Sequence, residues 1–299
     1  MKRFGLIGHP VAGSFSPKLF EAAYGGRYPY DLIEGAEFGA SWQRFLDEYD
    51  GINITAPFKE FAFRAVDALS DDARLCGAVN LAVKTPAGIV GYDTDVAGVV
   101  LAVREALARL ASPAPQPVIP GYSAPQPVIP GSTGNLLKEA LVVGCGGAGR
   151  AAAVAALRLG CRVTLANRTP SRAADLNARL SPIDTATSIG TPAGATPIGT
   201  TPIDTPASTD SPVCTWVPVK DLDTLSPDLV IYTVPGPMDG FPEFPEAIVL
   251  EANYRTPCLK GCGRTYISGL RWLLFQAVAG YEIFTGETPD ADAMFRIFC

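Results

Sequence analysis

Residues 141–176 constrain the fold more than any other part of this chain. A short apolar strand leads into a glycine-rich turn, an alanine-rich helix, a second strand and a polar Asn-Arg-Thr turn. Gly144, Gly146 and Gly149 have the G-x-G-x-x-G spacing, which lets the backbone turn tightly and approach a pyrophosphate at a helix N-terminus. Because the required strand and helix flank this turn, we predict a dinucleotide site in a Rossmann-type, doubly wound sheet.

The residues about 20 positions after the turn indicate which dinucleotide binds. An NAD site normally has Asp or Glu there, whereas this chain has Asn167 and Arg168, with Arg172 one helical turn later. Two cations without a carboxylate favour a 2′-phosphate, so we predict NADP as the cofactor. The expected cofactor contacts in this region are Gly144, Gly146, Gly147, Ala148, Gly149, Asn167, Arg168, Thr169 and Arg172.

Composition limits the kinds of partner and the location. With 299 residues, 47% of them hydrophobic, the chain is long enough for two domains. A net charge of -6 argues against a nucleic-acid or anionic-membrane surface. The apolar run near the N-terminus is broken by Gly8 and Pro10, and no later segment has the length of a membrane span. We therefore expect a cytoplasmic protein with small-molecule ligands and no nucleic-acid or membrane partner, either a monomer or a homodimer.

The histidine and cysteine content narrows the chemistry. His9 is the only histidine and has no G-x-S-x-G motif near it, which disfavours a Ser-His-Asp hydrolase. The seven cysteines form no C-x-x-C pair, so we predict neither a disulfide framework nor a bound metal. Proton transfer should then be carried out by Lys, Asp, Tyr or Cys.

Almost half of the chain precedes the nucleotide motif and alternates strand and helix patterns, which predicts a separate α/β domain. We place this domain at 1–100, the Rossmann domain at 101–265 and C-terminal helices at 266–299. An APQPVIPG duplication within 112–135 predicts a semi-extended loop, and the Thr/Pro-rich stretch 181–212 predicts a mobile insertion. Strands are expected at 4–7, 30–33, 52–55, 79–83, 89–92, 141–143, 213–217, 229–233 and 248–251. Helices are expected at 17–24, 41–48, from 57, 96–110 and 269–284.

Polar residues of the first domain lie where predicted elements begin or end. Ser16 is a candidate N-cap before Pro17, and together with Ser14 it places two hydroxyls at a helix N-terminus, an arrangement that suits a carboxylate ligand. Simple capping without a ligand is the alternative. Asn80 lies at a predicted strand start, where it either binds a ligand or is an ordinary turn residue.

Lys59 and two carboxylates are the candidate proton-transfer groups. Lys59 follows Thr55 in the first turn of a predicted helix, where the macrodipole disfavours a cation. Such a position suggests a function and can lower the lysine pKa, although a solvated surface lysine is the alternative. Asp93 and Asp95 lie at the start of another helix, and one of them is expected to be only an N-cap.

The predicted C-terminal helix is apolar on nearly its whole circumference, so it should be buried between layers. Gln276 is then a polar group in an apolar setting and needs hydrogen-bond partners. A bound hydroxylated ring would supply them, and the neighbouring backbone is the alternative.

The order of these motifs resembles the shikimate dehydrogenase family from end to end, apart from the two low-complexity insertions. The motifs are Ser14-x-Ser16-Pro17, Asn53-x-Thr55-x-Pro57-x-Lys59, Gly77-Ala78-Val79-Asn80, Thr94-Asp95, the glycine turn, Asn167-Arg168-Thr169 and the segment from Gly269 to Gln276. The resemblance implies reversible, NADPH-dependent reduction of 3-dehydroshikimate to shikimate in chorismate biosynthesis. It also implies an N-terminal α/β substrate domain, a Rossmann NADP domain and C-terminal helices that return to the first domain.

The resemblance further implies roles for individual residues. Lys59 and Asp95 would form the catalytic pair, and Gly269 would approach the nicotinamide end of NADP. The substrate-binding residues would be Ser14 and Ser16 at the carboxylate, Thr55, Asn80 and Gln276 at ring hydroxyls, and Tyr254 nearby.

Three departures from the family pattern stand out. Gly13 replaces the usual histidine before the first serine, and Asp93 replaces the usual asparagine two residues before Asp95. A second carboxylate at 93 is predicted to raise the pKa of Asp95 or of Lys59. The match to the family pattern is also weaker on the cofactor side, where Tyr-Thr-Val-Pro-Gly at 232–236 replaces the usual Asn-Ala-Thr turn.

Alternatives remain open at this stage. A quinate/shikimate dehydrogenase would share every motif, and a non-catalytic NADP-binding sensor would share the cofactor site. A methylenetetrahydrofolate dehydrogenase has a comparable layout but a different catalytic signature.

Overall fold

A computed structural model of the protein describes residues 1–111, 137–181 and 214–298. The predicted insertions at 112–135 and 181–212 lie outside the described residues, except for Ser181. The described chain forms two six-stranded sheets with helices around them. In this part of the chain no helix is both long enough and apolar enough to cross a membrane.

The first sheet belongs to the N-terminal half. Its strands are β1 (Phe4–Gly8), β2 (Tyr30–Glu34), β3 (Gly51–Ile54), β4 (Ala68–Leu69), β5 (Leu81–Thr85) and β6 (Gly88–Tyr92), in the order β2-β1-β3-β5-β6-β4. Its helices are α1 (Ser16–Tyr24), α2 (Phe38–Glu48), α3 (Lys59–Ala65) and α4 (Asp71–Cys76). β1 is parallel to β2 and β3, whereas β5 is antiparallel to both β3 and β6.

This topology gathers the polar clusters at one edge of the first sheet. β1 and β3 are parallel, so the segments that follow them leave from the same edge. Leu81, the first residue of β5, pairs with Asn53 of β3 and with Tyr92, the last residue of β6. The start of β5 and the end of β6 therefore lie at that edge as well, although the clusters are far apart in sequence.

The second sheet is parallel throughout. Its strands are β7 (Glu139–Val143), β8 (Arg162–Ala166), β9 (Cys214–Val217), β10 (Leu229–Tyr232), β11 (Phe244–Glu251) and β12 (Gly263–Ser268), in the order β12-β11-β10-β7-β8-β9. The helices between its strands are α6 (Gly147–Arg158) and α7 (Pro170–Leu180), with a 3₁₀ turn at Val219–Thr224. The strand order reverses between β7 and β10, which is the point where doubly wound sheets bind dinucleotides. This confirms the predicted Rossmann-type fold.

Two long helices connect the sheets. α5 (Asp95–Ala111) follows the first sheet, and α8 (Gly269–Thr285) follows the second and precedes α9 (Ala291–Phe295) and a 3₁₀ turn at Arg296–Phe298. α5 packs on both α6 and α8, and the predicted domain boundary at 100–101 falls inside it. α8 returns to α1 of the first domain, where the Tyr281 hydroxyl donates to the Ser16 carbonyl at 3.0 Å. Gln276 is thereby held beside the first domain.

Some predicted elements differ from the structure. β4 and β12 were not predicted, because β4 has only two residues and β12 is an edge strand with weak alternation. The predicted N-cap at Ser16 is wrong: α1 begins at Ser16, and its N-cap is Phe15, which makes no side-chain cap bond. The reason is that Phe15 already has helical dihedrals, so the chain enters the helix one residue earlier. The predicted start of β9 at 213 lies outside the described residues.

Candidate active site

A cleft with a volume of about 330 Å³ lies between the edge of the first sheet and the carboxyl ends of the second. The residues that line it lie up to 270 positions apart in the sequence, from Leu6 to Gln276. The predicted site residues that line it are Ser14, Ser16, Thr55, Lys59, Asn80, Asp95, Ala148, Tyr254, Gly269 and Gln276. All of the predicted catalytic and substrate-binding residues therefore share one cleft.

Lys59 and Asp95 face each other in this cleft. Lys59 is the first residue of α3 and Asp95 the first residue of α5, and the lysine Nζ donates to a carboxylate oxygen of Asp95. Their side chains are only 18% and 13% exposed. A Cβ added to Gly147 would lie 3.4 Å from Cδ of Lys59, so the pair adjoins the glycine turn. The ion pair is thus placed between the first domain and the expected cofactor site.

The pKa of Lys59 is raised, not lowered. Burial acts to lower it, but the negative charges of Asp95 and Asp93 and the hydrogen bond to Asp95 together act in the opposite direction and prevail. The prediction of a depressed lysine pKa is therefore wrong, because it considered the helix dipole without these two carboxylates. The prediction that Asp93 would raise the pKa of Lys59 is confirmed. At neutral pH the lysine is an ammonium that can act as a proton donor.

Asp93 is a buried carboxyl group beside this pair. The residue is only 3% exposed, and its Oδ1 accepts the backbone N–H of Asp95 at 3.2 Å. Its Oδ2 has no hydrogen-bond partner among the described residues. Burial and the charge of Asp95 raise the pKa of Asp93 well above the usual aspartate range. Of the two acids at this helix start, Asp93 binds the backbone, and Asp95 is free to meet Lys59.

We expect Asp93→Asn to stabilise the protein increasingly as the pH rises. The folded state holds the Asp93 proton more tightly than the unfolded chain, so this group lowers the free energy of unfolding as the pH climbs above the ordinary aspartate pKa of about 4. Asparagine keeps the acceptor for Asp95 N–H and removes that titration. The gain should be smallest near pH 4.5 and largest at neutral pH, because ionising the buried carboxyl group costs free energy in the folded state and asparagine does not ionise.

Urea unfolding between pH 4.5 and 7.5 measures this gain. Asp223→Asn is the matched control, because Asp223 is exposed in the 3₁₀ turn. A stability difference between wild type and Asp93→Asn that does not change with pH would contradict the assignment.

A hydrogen-bonded network positions the start of α5. Asn80 accepts the Thr94 backbone N–H at 2.8 Å and donates to the Thr94 hydroxyl at 3.1 Å. That hydroxyl is also 3.3 Å from Oε1 of Gln276, whose Nε2 donates to the Leu273 carbonyl at 3.1 Å. Gln276 is therefore bonded to side chains and backbone together. The network holds the residue that immediately precedes Asp95.

The two serines lie at the N-terminus of α1. The Ser14 hydroxyl accepts the Ser16 backbone N–H at 3.2 Å and donates to the Ser16 hydroxyl at 3.1 Å. Tyr254 reaches the same end of the cleft, and its ring centroid lies 6.1 Å from that of Phe15. Two hydroxyls at a helix N-terminus suit a carboxylate ligand.

The glycine turn between β7 and α6 leaves no room for a side chain where Gly149 approaches the backbone of Gly144. Gly144 has a φ of +99°, and a Cβ added to Gly149 would lie 1.8 Å from the Gly144 carbonyl oxygen. At Gly146, in contrast, an added Cβ would meet nothing within 4 Å, so this side of the turn is open. Asn167 braces the turn by accepting the Cys145 backbone N–H at 3.1 Å. The turn is therefore tight inside and accessible outside.

The two predicted phosphate-binding arginines follow β8, the strand that pairs with β7 beside the glycine turn. Arg168 and Thr169 follow β8, and Arg172 lies in the first turn of α7; all three are exposed. Within the described residues neither arginine forms an ion pair. Burial raises the pKa of Cys145 to about 11, and the charges of Arg150 and Arg172 oppose this rise. Positive charge is thus available beside the glycine turn.

Among the residues that line the cleft, sequence reasoning assigned no role to three that carry polar side-chain atoms: Asn53, Trp272 and Arg255. Asn53 accepts the Tyr30 hydroxyl at 2.7 Å, and the helical pattern around Trp272 indicated only a buried face. Arg255 approaches Gly13, 242 residues earlier, and no local pattern signals such a contact.

Comparisons with known proteins agree with this arrangement. A family model described as the shikimate dehydrogenase substrate binding domain matches residues 6–82. A shikimate dehydrogenase (NADP(+)) from Rubrobacter xylanophilus is 32% identical over a match that covers 98% of this chain and 93% of that protein. A protein of the same name from Halorubrum lacusprofundi is 33% identical, with 98% and 97% covered.

A solved structure is similar over the whole length. It is the shikimate 5-dehydrogenase from Thermus thermophilus in complex with NADP(H) and shikimate, 25% identical with a TM-score of 0.71. The match covers 99% of this chain and 98% of that one.

Proposed function

The chain belongs to the shikimate dehydrogenase family, and we propose that it catalyses the reversible reduction of 3-dehydroshikimate to shikimate by NADPH, a step of chorismate biosynthesis. One observation carries this proposal. The Lys59–Asp95 pair lies in a cleft that has two serine hydroxyls at one end and the glycine turn beside it. A proton donor, a carboxylate receptor and a dinucleotide turn are the parts that this reaction needs.

The residues around the turn fit NADP. A pyrophosphate can approach the open side at Gly146, at the N-terminus of α6, where backbone N–H groups and the helix dipole favour an anion. Arg168, Thr169 and Arg172 would hold the 2′-phosphate, and Asn167 would keep the turn in place. A Cβ added to Gly269 would lie 2.3 Å from the Ala252 carbonyl oxygen, so glycine is required where the chain should pass the nicotinamide end.

Lys59 and Asp95 would have different roles in the reduction of the substrate carbonyl. When bound, NADPH supplies the hydride that reduces the C3 carbonyl carbon of the substrate. Lys59 stabilises the developing alkoxide and donates a proton to it, and its raised pKa keeps the ammonium charged at neutral pH. Asp95 orients the ammonium and accepts a hydrogen bond from the neighbouring substrate hydroxyl.

The remaining cleft residues would bind and orient the substrate. Ser14 and Ser16 would donate to its carboxylate, with Tyr254 nearby. Thr55, Asn80 and Gln276 would bind its ring hydroxyls. Such positioning makes the reaction effectively unimolecular, which is a large part of catalysis by any two-substrate enzyme.

A spectrophotometric assay at 340 nm tests the proposal. We expect NADPH oxidation with 3-dehydroshikimate and little activity with quinate or with NAD. Turnover of quinate with NAD would favour a quinate/shikimate dehydrogenase, and NADPH binding without any oxidation would indicate a sensor. We also propose that the protein acts in the cytoplasm, as a monomer or a homodimer without a nucleic-acid partner, which its net charge of -6 supports.

Arg168→Ala should weaken NADPH binding by about 10-fold or more and NADH binding by less than about threefold, because a charge-assisted contact to the 2′-phosphate is lost. Fluorescence titration with each cofactor measures both affinities. Arg168→Lys should recover part of the NADPH affinity, since it restores the charge without the planar fork. Equal weakening of NADPH and NADH would refute the phosphate role.

A further inference from the structure

Arg255 is a cation of the cleft that the proposed mechanism does not use. It follows β11 in the second domain and lines the cleft next to Tyr254. Its Nη2 donates to the Gly13 carbonyl of the first domain at 2.9 Å. Gly13 directly precedes Ser14, so this contact brings the guanidinium to the serine end of the cleft.

Within the part of the chain that the structure describes, the charge of Arg255 has no ionic partner. No acidic side chain in the described ranges lies within ion-pair distance of it, whereas Lys59, the other cation of the cleft, is paired with Asp95. A guanidinium has five N–H donors, and the Gly13 carbonyl occupies one of them. Arg255 is exposed, so donors remain available to a ligand that enters this end of the cleft.

Gly13 makes room for the guanidinium. A Cβ added there would lie 3.0 Å from Nη2 and 3.5 Å from Nη1 of Arg255. Gly13 is not among the glycines with a positive φ, so backbone conformation does not require glycine at this position. The absence of a side chain at 13 and the presence of a long cation at 255 are therefore complementary.

We infer that Arg255 is a third binding group for the substrate carboxylate, closing over it from the second domain while Ser14 and Ser16 hold it from the first. This rests on the proposed function, because that function supplies a carboxylate at this end of the cleft. A guanidinium matches the planar geometry of a carboxylate and binds it more strongly than a neutral donor does. Arg255 thereby favours a substrate with a free carboxylate over neutral analogues, and it couples substrate binding to contact between the two domains.

The test is steady-state oxidation of shikimate and of its methyl ester by NADP⁺ with Arg255→Gln. For shikimate we expect KM to rise about 10-fold or more with kcat nearly unchanged, because the lost contact binds ground state and transition state alike. For the ester KM should change less than about threefold, since no charge faces the guanidinium. Arg264→Gln is the matched control. Arg264 is an exposed arginine on β12, so this substitution removes the same charge at a different place on the second domain.

Gly13→Ala provides a second route to the same interaction. Its methyl group would push the guanidinium aside, so KM for shikimate should rise while Arg255 is still present. Two results would overturn the inference but not the proposed function. One is a KM for shikimate in Arg255→Gln that lies within about twofold of the Arg264→Gln value, and the other is an equal rise in KM for the acid and the ester. A wild-type protein that does not oxidise shikimate would overturn both.

Discussion

Lys59→Ala is expected to lower kcat for reduction of 3-dehydroshikimate by about 100-fold or more, the usual contribution of a positioned general acid. The substitution removes the only ammonium in the described cleft that adjoins both Asp95 and the glycine turn. The affinity for NADPH should change little, because the Lys59 ammonium is paired with Asp95 in the substrate cleft, whereas the proposed phosphate contacts are backbone N–H groups of the turn together with Arg168, Thr169 and Arg172. Stopped-flow or steady-state turnover, together with a fluorescence titration of NADPH, measures the two effects separately.

Two controls separate lost chemistry from lost structure. Removing the ammonium leaves Asp95 and Asp93 without a nearby cation, which can destabilise the fold. A thermal melt and the NADPH titration therefore accompany the assay. Lys220→Ala is the matched substitution, because Lys220 is exposed in the 3₁₀ turn of the second domain. Turnover of Lys59→Ala equal to that of Lys220→Ala would remove the proposed proton donor.

The parts of the site that depend on local sequence could be predicted. Gly144, Gly146 and Gly149 form a turn because β7 ends directly before them and α6 begins at Gly147, which is the order that the motif requires. The clusters of the first domain were recognisable because each one lies at the end of an element. Their meeting at one sheet edge follows from the antiparallel pairing of β5, which the alternating pattern alone does not specify.

The parts that depend on distant contacts could not be predicted. The direction of the Lys59 pKa shift depends on whether two carboxylates, 34 and 36 residues later, outweigh burial. The Arg255–Gly13 contact joins two domains, and either residue alone looks like an ordinary loop position. β12 was missed because an edge strand has a single neighbour and needs little alternation of its own.

Gly149→Ala should disrupt the cofactor site and lower stability at once. The added Cβ would lie 1.8 Å from the Gly144 carbonyl oxygen, and backbone cannot move aside as a flexible side chain can. The turn must open, at a cost of about 1–3 kcal/mol in the free energy of unfolding, as for other overpacked positions. Because an opened turn no longer presents its N–H groups to the pyrophosphate, NADPH affinity should fall by about 100-fold.

Two other glycines distinguish the causes of these losses. Gly146 has nothing within 4 Å of an added Cβ, so Gly146→Ala should leave the urea midpoint nearly unchanged and still reduce NADPH affinity, because the methyl group occupies the path of the pyrophosphate. Gly39→Ala, on the exposed side of α2, should raise stability by about 0.5–1 kcal/mol and leave NADPH binding unchanged. Only Gly149→Ala is expected to lose both, since it alone combines a backbone collision with the cofactor turn. Wild-type NADPH affinity and stability in Gly149→Ala would mean that the turn is wider in solution, and the proposed pyrophosphate site would then have to lie elsewhere.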